Sequence, residues 1–317
     1  MNPLEAIREF LLPSQEALVG FSGGADSTAL LLALHLAGWP VSAVHFNHQL
    51  RGDAAEADEG YCRDFCGNRG IPFQCFRLDV RGERKPNESL ESAARRLRLE
   101  KWSALTAERH QLVFLAHHAD DAMEELFLRI LRGASTTGLV GLKPFRVLED
   151  GTRLARPLLR CRKQDLEEFL QKNGVTEWCT DETNRISDCN RNRIRNQLMP
   201  WWREAFGSDA GILATIEALR EDAAYLEEAA ANALPSRTTI QQWRDLPDAL
   251  FPRVLRHRFH LPLPPSRETI LRIRKELDTP HPGRNNLKLP LGGGKYLILN
   301  HKEGLISILN SQCSMLN

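Results

Sequence analysis

The stretch ALVGFSGGADSTALLLALHL, residues 17–36, decides the fold class. Ala17 to Phe21 is a short apolar run, Ser22-Gly23-Gly24 breaks it, and an apolar-rich run from Asp26 to Ala37 stops at Gly38. That pattern predicts a strand, a tight turn and a glycine-terminated helix. Working outward, the unit repeats. Runs at 41–46, 73–80 and 112–116 read as strands, and runs at 53–68, 89–107 and 121–131 read as helices. Strands alternating with helices of this length predict an α/β fold, a doubly wound and mostly parallel sheet covered on both faces.

In such sheets ligands bind beyond the carboxyl ends of the strands, where the strand order reverses. The unusual polar residues fall at those ends: Ser22-Gly23-Gly24 after the first strand, Asn47-His48 after the second, and His117-His118-Ala119-Asp120-Asp121 after the fourth. Ser22, Gly23, Gly24, Ala25, Asp26 and Ser27 join a strand to a helix, where free backbone N–H groups and the positive helix end make an anion site. The loop has neither the lysine of G-x-x-x-x-G-K-[ST] nor the spacing of G-x-G-x-x-G. Asp26 is the odd member, because a carboxylate beside a polyphosphate is repelled unless a cation intervenes. A Mg²⁺ ion on Asp26 is therefore expected; the plainer reading is a glycine turn with Asp26 or Ser27 capping the helix.

The whole chain bounds these readings. Its 317 residues amount to about two domains at roughly 150 residues each, and 42 % hydrophobic with 26 % charged residues excludes disordered and fibrous classes. A boundary is expected near Gly207-Ser208, giving a catalytic unit over 1–208 and a smaller helical plus β appendage over 209–317. The appendage contains a linker helix at about 210–233 and a small β region at about 287–309. The charged Glu5, Arg8 and Glu9 oppose a signal peptide, and no long uncharged apolar segment is present, so a cytoplasmic protein without a membrane partner is expected. The seven cysteines read as free thiols, with Cys62 and Cys66 on one helix face rather than at a metal. The net charge of +1 hides local excess. Residues 185–203 hold five arginines against Asp188, and residues 253–275 hold six arginines and Lys275 against Glu268. Both are candidate polyanion contacts, with solvated helix faces as the alternative. Trp201, Trp202 and Trp243 suit either base stacking or core packing.

The S-G-G-x-D-S loop resembles that of the PP-loop ATP pyrophosphatase (adenine nucleotide alpha hydrolase-like) superfamily. His45-Phe46-Asn47-His48-Gln49-Leu50-Arg51-Gly52, Ala93-Ala94-Arg95-Arg96-Leu97-Arg98, Ala116 to Asp121, Leu131-Arg132-Gly133, Arg156-Pro157-Leu158-Leu159 and Arg191-Asn192-Arg193-Ile194-Arg195 follow it. In this order they resemble the signatures of the tRNA(Ile)-lysidine synthetase family. The chain departs from that family at Ala122-Met123-Glu124-Glu125, where Gln-Ala-Glu-Thr is usual, and at Leu99, where Tyr is usual. The resemblance implies ATP-dependent coupling of free L-lysine to the wobble cytidine of tRNA(Ile), with ATP on residues 22–27 and tRNA on Arg51, Arg132, Arg191, Arg193 and Arg195. It also implies Arg95 as a stabiliser of the transferring phosphoryl group, beside Asp26, His117 and Asp121 in the catalytic set.

The chemistry of the residues agrees with an acid in that set. Presenting a lysine amine neutral at pH 7 costs about 4.6 kcal/mol, from a pKa near 10.4. A carboxylate that holds the ammonium and takes its proton offsets this, and Asp121 is the candidate; the alternative is that Asp120 or Asp121 caps the helix. His117 is a candidate for phosphate contact or proton transfer, and His118 either joins it or is a buried structural histidine. Two other classes stay open: a tRNA thiolase or small-molecule amidotransferase on the same loop, and a non-catalytic nucleotide- or RNA-binding relative. Thiolases of this kind typically use a C-x-x-C pair, which this chain lacks. The oligomeric state is left open, with a homodimer as one option.

Overall fold

The computed structural model describes residues 1–10, 16–107, 112–180, 190–235, 238–261, 265–279, 287–292, 295–300 and 303–310. Arg185, Asp188, Cys189, Gly293, Gly294 and Cys313 lie outside the described residues. Strands β1 (Ala17–Gly20), β2 (Val41–Asn47), β3 (Phe73–Arg77), β4 (Leu112–Phe114), β5 (Phe145–Val147) and β6 (Arg153–Ala155) form one sheet. Its order is β3-β2-β1-β4-β6-β5. All neighbours pair in parallel except the edge pair β5–β6. Successive crossovers carry the chain outward from β1 to β2 and β3, then back to the other side of β1 at β4. The strand order thus reverses between β1 and β4, where the glycine loop and the His117–Asp121 block emerge. Strands β5 and β6, three residues each, carry no periodicity long enough to be read from sequence.

Helices α1 (Pro3–Glu9), α2 (Ala25–Leu36), α3 (Asp53–Gly67), α4 (Leu90–Thr106), α5 (Ala119–Leu131), α6 (Thr136–Leu139) and α7 (Lys163–Lys172) cover the sheet. α2 is apolar on every face, and Ala29, Leu30, Leu31, Ala33 and Leu34 have no measurable exposure. It is enclosed by α1, α7 and the sheet, whose side chains join one core with Val19, Phe21, Phe114, Leu158 and Leu166. That enclosure makes the start of α2 a rigid platform. Cys62 and Cys66 are fully buried in the same core as free thiols.

After α7 come α8 (Asn190–Arg193), a wider helical turn over Ile194–Leu198, and α9 (Met199–Phe206). α9 ends at Gly207, whose φ of 70° suits a glycine cap. α10 (Ala210–Asn232) follows. The chain divides into two compact units, Met1–Glu217 and Ala218–Asn317, so the division passes through α10. In the second unit α11 (Ile240–Arg244), α12 (Phe251–Arg258) and α13 (Arg267–Asp278) accompany an antiparallel sheet of β7 (Leu287–Gly292), β8 (Lys295–Asn300) and β9 (Leu305–Asn310). Trp243, 1 % exposed, is the centre of its core, stacked on Phe259 and edge-on to Phe251. This settles Trp243 as a packing residue, whereas Trp201 is 54 % exposed. Among the described residues no helix is long and apolar enough to cross a membrane.

Replacing Leu30 by Ala removes a fully buried side chain from α2 and leaves a cavity. Urea unfolding of the first unit is expected to show a loss of about 2–5 kcal/mol.

Candidate active site

The turn after β1 is held open by its own side chains. Ser27 Oγ accepts the Ser22 N–H at 3.2 Å and donates to the Gly24 carbonyl at 3.0 Å. Thr28 Oγ1 donates to the Gly24 carbonyl at 2.9 Å, and the His45 ring N–H holds the Phe21 carbonyl at 2.9 Å. Gly24 is the N-cap of α2 and no side chain caps it. The expectation that Asp26 or Ser27 caps this helix is therefore corrected. Ser27 bonds backward into the turn, and the N–H groups of the first helical turn stay available for an anion. Gly23 has φ +84°, and a Cβ there would lie 2.7 Å from Cys179 Sγ and 3.0 Å from Cys62 Sγ. Only glycine meets both conditions.

Beside this turn, at the start of α5, His118 is 4 % exposed and surrounded by acids. Its Nε2 lies 3.6 Å from Asp26 Oδ2 and 3.5 Å from Asp121 Oδ2, and its Nδ1 lies 3.4 Å from Asp120 Oδ2. Burial alone would suppress the ring's charge, but Asp120, Asp26 and Asp121 outweigh it and push the pKa up to about 10. Burial raises the Asp26 carboxyl, yet His118, Lys163 and Arg195 more than reverse this and hold it below its ordinary value. The cation that neutralises Asp26 here is thus a histidine of the same chain, a partner that sequence reasoning assigned to Mg²⁺. Asp26 Oδ1 remains buried without a hydrogen bond, which suits a hard cation as ligand. No group of three or more His, Cys, Asp or Glu among the described residues is poised for a metal by itself.

Asp121 Oδ2 accepts the His118 N–H at 3.1 Å, and its Oδ1 lies 3.4 Å from Arg195 Nη2. It caps α5 and faces the acid cluster at once, so the two readings of this residue coexist. Asp120 accepts the Lys163 N–H at 2.9 Å and pairs with Arg203, and it sits well below the usual carboxylate range despite its burial. The structure adds a residue that the sequence reading missed. Glu124, 2 % exposed, receives Arg191 Nε at 3.1 Å and Arg195 Nε at 2.6 Å. Its signal was the spacing: Glu124 stands three residues after Asp121 on one helix face, and Arg191 and Arg195 are themselves four apart.

These pairings bear on the segment 185–203, read from sequence as candidate polyanion contacts or a solvated helix face: three of its described arginines are engaged by acids of the same chain. Arg191, Arg195 and Arg203 turn toward Glu124, Asp121, Asp120 and Asp209, so the segment is clamped onto α5 by buried acids. Arg51 is likewise paired, with Asp58 at 2.6 Å. Arg193 and Arg132 are exposed. Within the second basic segment, Arg253, Arg256 and His257 gather on Glu227, and Arg274 donates to the Trp243, Arg244 and Leu246 carbonyls. Asn47 is also structural: it is 3 % exposed and bonds Ala55, Glu59 and Gln49. Ser22, Gly24, Ala25, Asp26, His118, Asp120, Glu124 and Arg195 all line one cleft of about 750 Å³, closed further by Lys163, Cys179 and Arg203. Asp121, His117 and Arg95 are not part of that lining; Asp121 reaches it through its contacts with His118 and Arg195.

A doubly wound sheet with an uncapped serine-glycine turn at its switch point defines a nucleotide-binding α/β protein. The PP-loop domain model matches residues 3–202, and the chain belongs to that family. It is 34 % identical over 269 residues to a tRNA(Ile)-lysidine synthase of Porphyromonas gingivalis, covering 83 % of this chain and 58 % of that protein. It is 36 % identical over 263 residues to a tRNA(Ile)-lysidine synthase of Pseudomonas aeruginosa, covering 77 % and 57 %. The chain spans about half the length of the curated relatives it matches. Among solved structures it resembles the U34-tRNA thiolase of Methanococcus maripaludis with its 4Fe-4S cluster, with a TM-score of 0.53, 16 % identity, and coverage of 69 % of this chain and 78 % of that one. That likeness concerns the fold.

Two outcomes are expected. Gly23→Ala strains the turn against Cys179, and nucleotide affinity measured by calorimetry should fall at least about tenfold, with the anion cradle displaced. For His118, the folded pKa of about 10 lies above the ordinary 6.5, so its contribution to stability is complete below pH 6.5 and is lost as pH rises through 10. Chemical denaturation of the wild type should show that decline between neutral pH and pH 10, and His118→Gln should flatten it.

Proposed function

We propose that the chain ligates free L-lysine to the wobble cytidine of tRNA(Ile) at the expense of ATP, in the cytoplasm. The observation that carries this reading is the composition of the cleft. A helix start that attracts phosphate shares one cavity with buried carboxylates that attract an ammonium ion. The tRNA(Ile)-lysidine synthase names of the relatives support it.

ATP would lie with its phosphates on the backbone of Ser22 to Ser27, and Asp26, whose Oδ1 is buried without a hydrogen bond, would hold Mg²⁺. A bound Mg²⁺ supplies charge neutralisation for the departing pyrophosphate. The cytosine carbonyl oxygen attacks the α-phosphorus and pyrophosphate leaves. The lysine ε-amine then adds to the activated ring carbon, a proton passes to Asp121, and AMP departs. Asp121 is fixed for this by the His118 N–H and Arg195. Glu124, held by Arg191 and Arg195, supplies the negative wall that favours an amine. Arg95 stabilises the transferring phosphoryl group from the far side, where His117 also lies. Arg132 and Arg193 are exposed cations suited to RNA phosphates. The unit 218–317 positions the tRNA rather than taking part in the chemistry. The proposal leaves a homodimer as one assembly.

The test is a labelled-lysine assay with ATP, Mg²⁺ and two tRNA(Ile) transcripts that differ only at the wobble base. Lysine should enter the transcript with cytidine and not the one with uridine, with AMP and pyrophosphate released in step. Asp121→Asn keeps the helix cap acceptor and is expected to lower lysine transfer at least about a hundredfold, the scale of a lost general base, with tRNA affinity unchanged. Pyrophosphate release without any lysine incorporation would reject the reading.

A further inference from the structure

The carboxyl ends of β4 and β6 carry a second cluster that the cleft does not include. Arg156, immediately after β6, is 5 % exposed. Its Nε donates to His117 Nδ1 at 3.2 Å and its Nη1 donates to the Lys143 carbonyl at 3.0 Å. Among the described residues no carboxylate pairs with it. By contrast, Arg96, Arg191, Arg195 and Arg203 each rest on an acid. A buried guanidinium without a counter-ion is unfavourable unless an anion completes it.

The surroundings add positive charge instead of removing it. Burial first, and then the charges of Arg146 and Arg95, depress the Arg156 pKa to about 10. Arg146 sits on β5, all of whose residues are exposed, and Arg95 is exposed on α4. His117 is pulled down to about 4, chiefly by burial, with Arg156 and Arg191 working against the opposing pull of Asp121. It is therefore neutral at pH 7. A guanidinium only donates hydrogen bonds, so the His117 nitrogen facing it must be an acceptor and the ring proton must sit on Nε2.

We propose that Arg156 and His117, flanked by Arg95 and Arg146, form a phosphoryl-oxygen site separate from the glycine loop, in which His117 is a fixed Nε2–H donor and not a proton acceptor. A planar guanidinium, a neutral N–H donor and two further arginines suit the several oxygens of a phosphate group better than a lone carboxylate. The phosphoryl group comes either from the nucleotide or from an RNA phosphodiester. This site rests on the proposed function in so far as Arg95 and His117 meet the phosphoryl group there. Its test reads phosphate binding at the buried Arg156, so its failure is distinguishable from failure of the lysine assay.

The test begins with nitrogen-15 imidazole spectra of the full chain. His117 should show an unprotonated Nδ1 and a protonated Nε2 at neutral pH, and inorganic phosphate should shift the Nε2 resonance saturably. Arg156→Lys keeps charge without the fork, and Arg146→Ala alters only an exposed strand, so one probes the pocket and the other is safe for folding. Each is expected to weaken the phosphate response by about fivefold or more, the scale of a lost charge-assisted contact. ATP calorimetry and tRNA anisotropy then separate the sources. A loss confined to ATP assigns the nucleotide, and a loss confined to tRNA, with the salt slope reduced by about 0.9, assigns a phosphodiester. A His117 proton on Nδ1, or phosphate responses unchanged in both variants, would overturn the proposal.

Discussion

A single buried histidine among three carboxylates organises the first unit. His118 joins the start of α2, through Asp26, to the start of α5, through Asp120 and Asp121. Two helix N-termini that point toward one cavity both favour negative charge, and three acids in close quarters repel one another. A cation that cannot leave resolves both problems. His118 is shared among the three carboxylates, and Asp120 also meets the Lys163 N–H and Arg203 while Asp121 also meets Arg195. The segment 190–206 is then fastened across α5 by ion pairs, and the cleft acquires its far wall.

The arrangement divides the labour by charge. Acids and their partners line the cleft beside the glycine turn. Beyond it Arg156 meets His117 and the Lys143 carbonyl and, among the described residues, no carboxylate. The two histidines in sequence, His117 and His118, are pushed in opposite directions, down to about 4 and up to about 10. Both are largely buried, so desolvation works alike on them; what differs is the sign of the neighbours. His118 faces three carboxylates, whereas on His117 the pull of one, Asp121, is opposed by Arg156 and Arg191. Adjacent identical residues thus favour opposite charge states near neutral pH, His117 neutral and His118 protonated.

Much of the frame is legible from local pattern. The alternation of apolar runs with glycine-stopped helices sets the parallel sheet, because each strand of a covered sheet is a short apolar run and each crossover is long enough for a helix. The turn chemistry of Ser22 to Ser27 follows from the same stretch. Strands β5 and β6 escaped because three residues carry no period. The ion pairs of Arg191, Arg195 and Arg203 are not legible for a different reason: a count of charges along the chain does not include the acids that face them from α5.

The sequence by itself therefore determined the class of fold, the place of the phosphate turn at the strand switch, and the presence of acids and histidines at neighbouring strand ends. These depend on interactions among residues close in sequence, which composition and period record. Only the tertiary structure decided which charges meet: that His118 lies against Asp26, that Glu124 draws Arg191 and Arg195 inward, and that Arg156 meets His117 and, among the described residues, no acid. Such pairings join residues far apart in sequence, Arg203 and Asp120 by 83 positions. Their energies turn on burial and on distances of a few ångströms, and neither is fixed until the helices are packed.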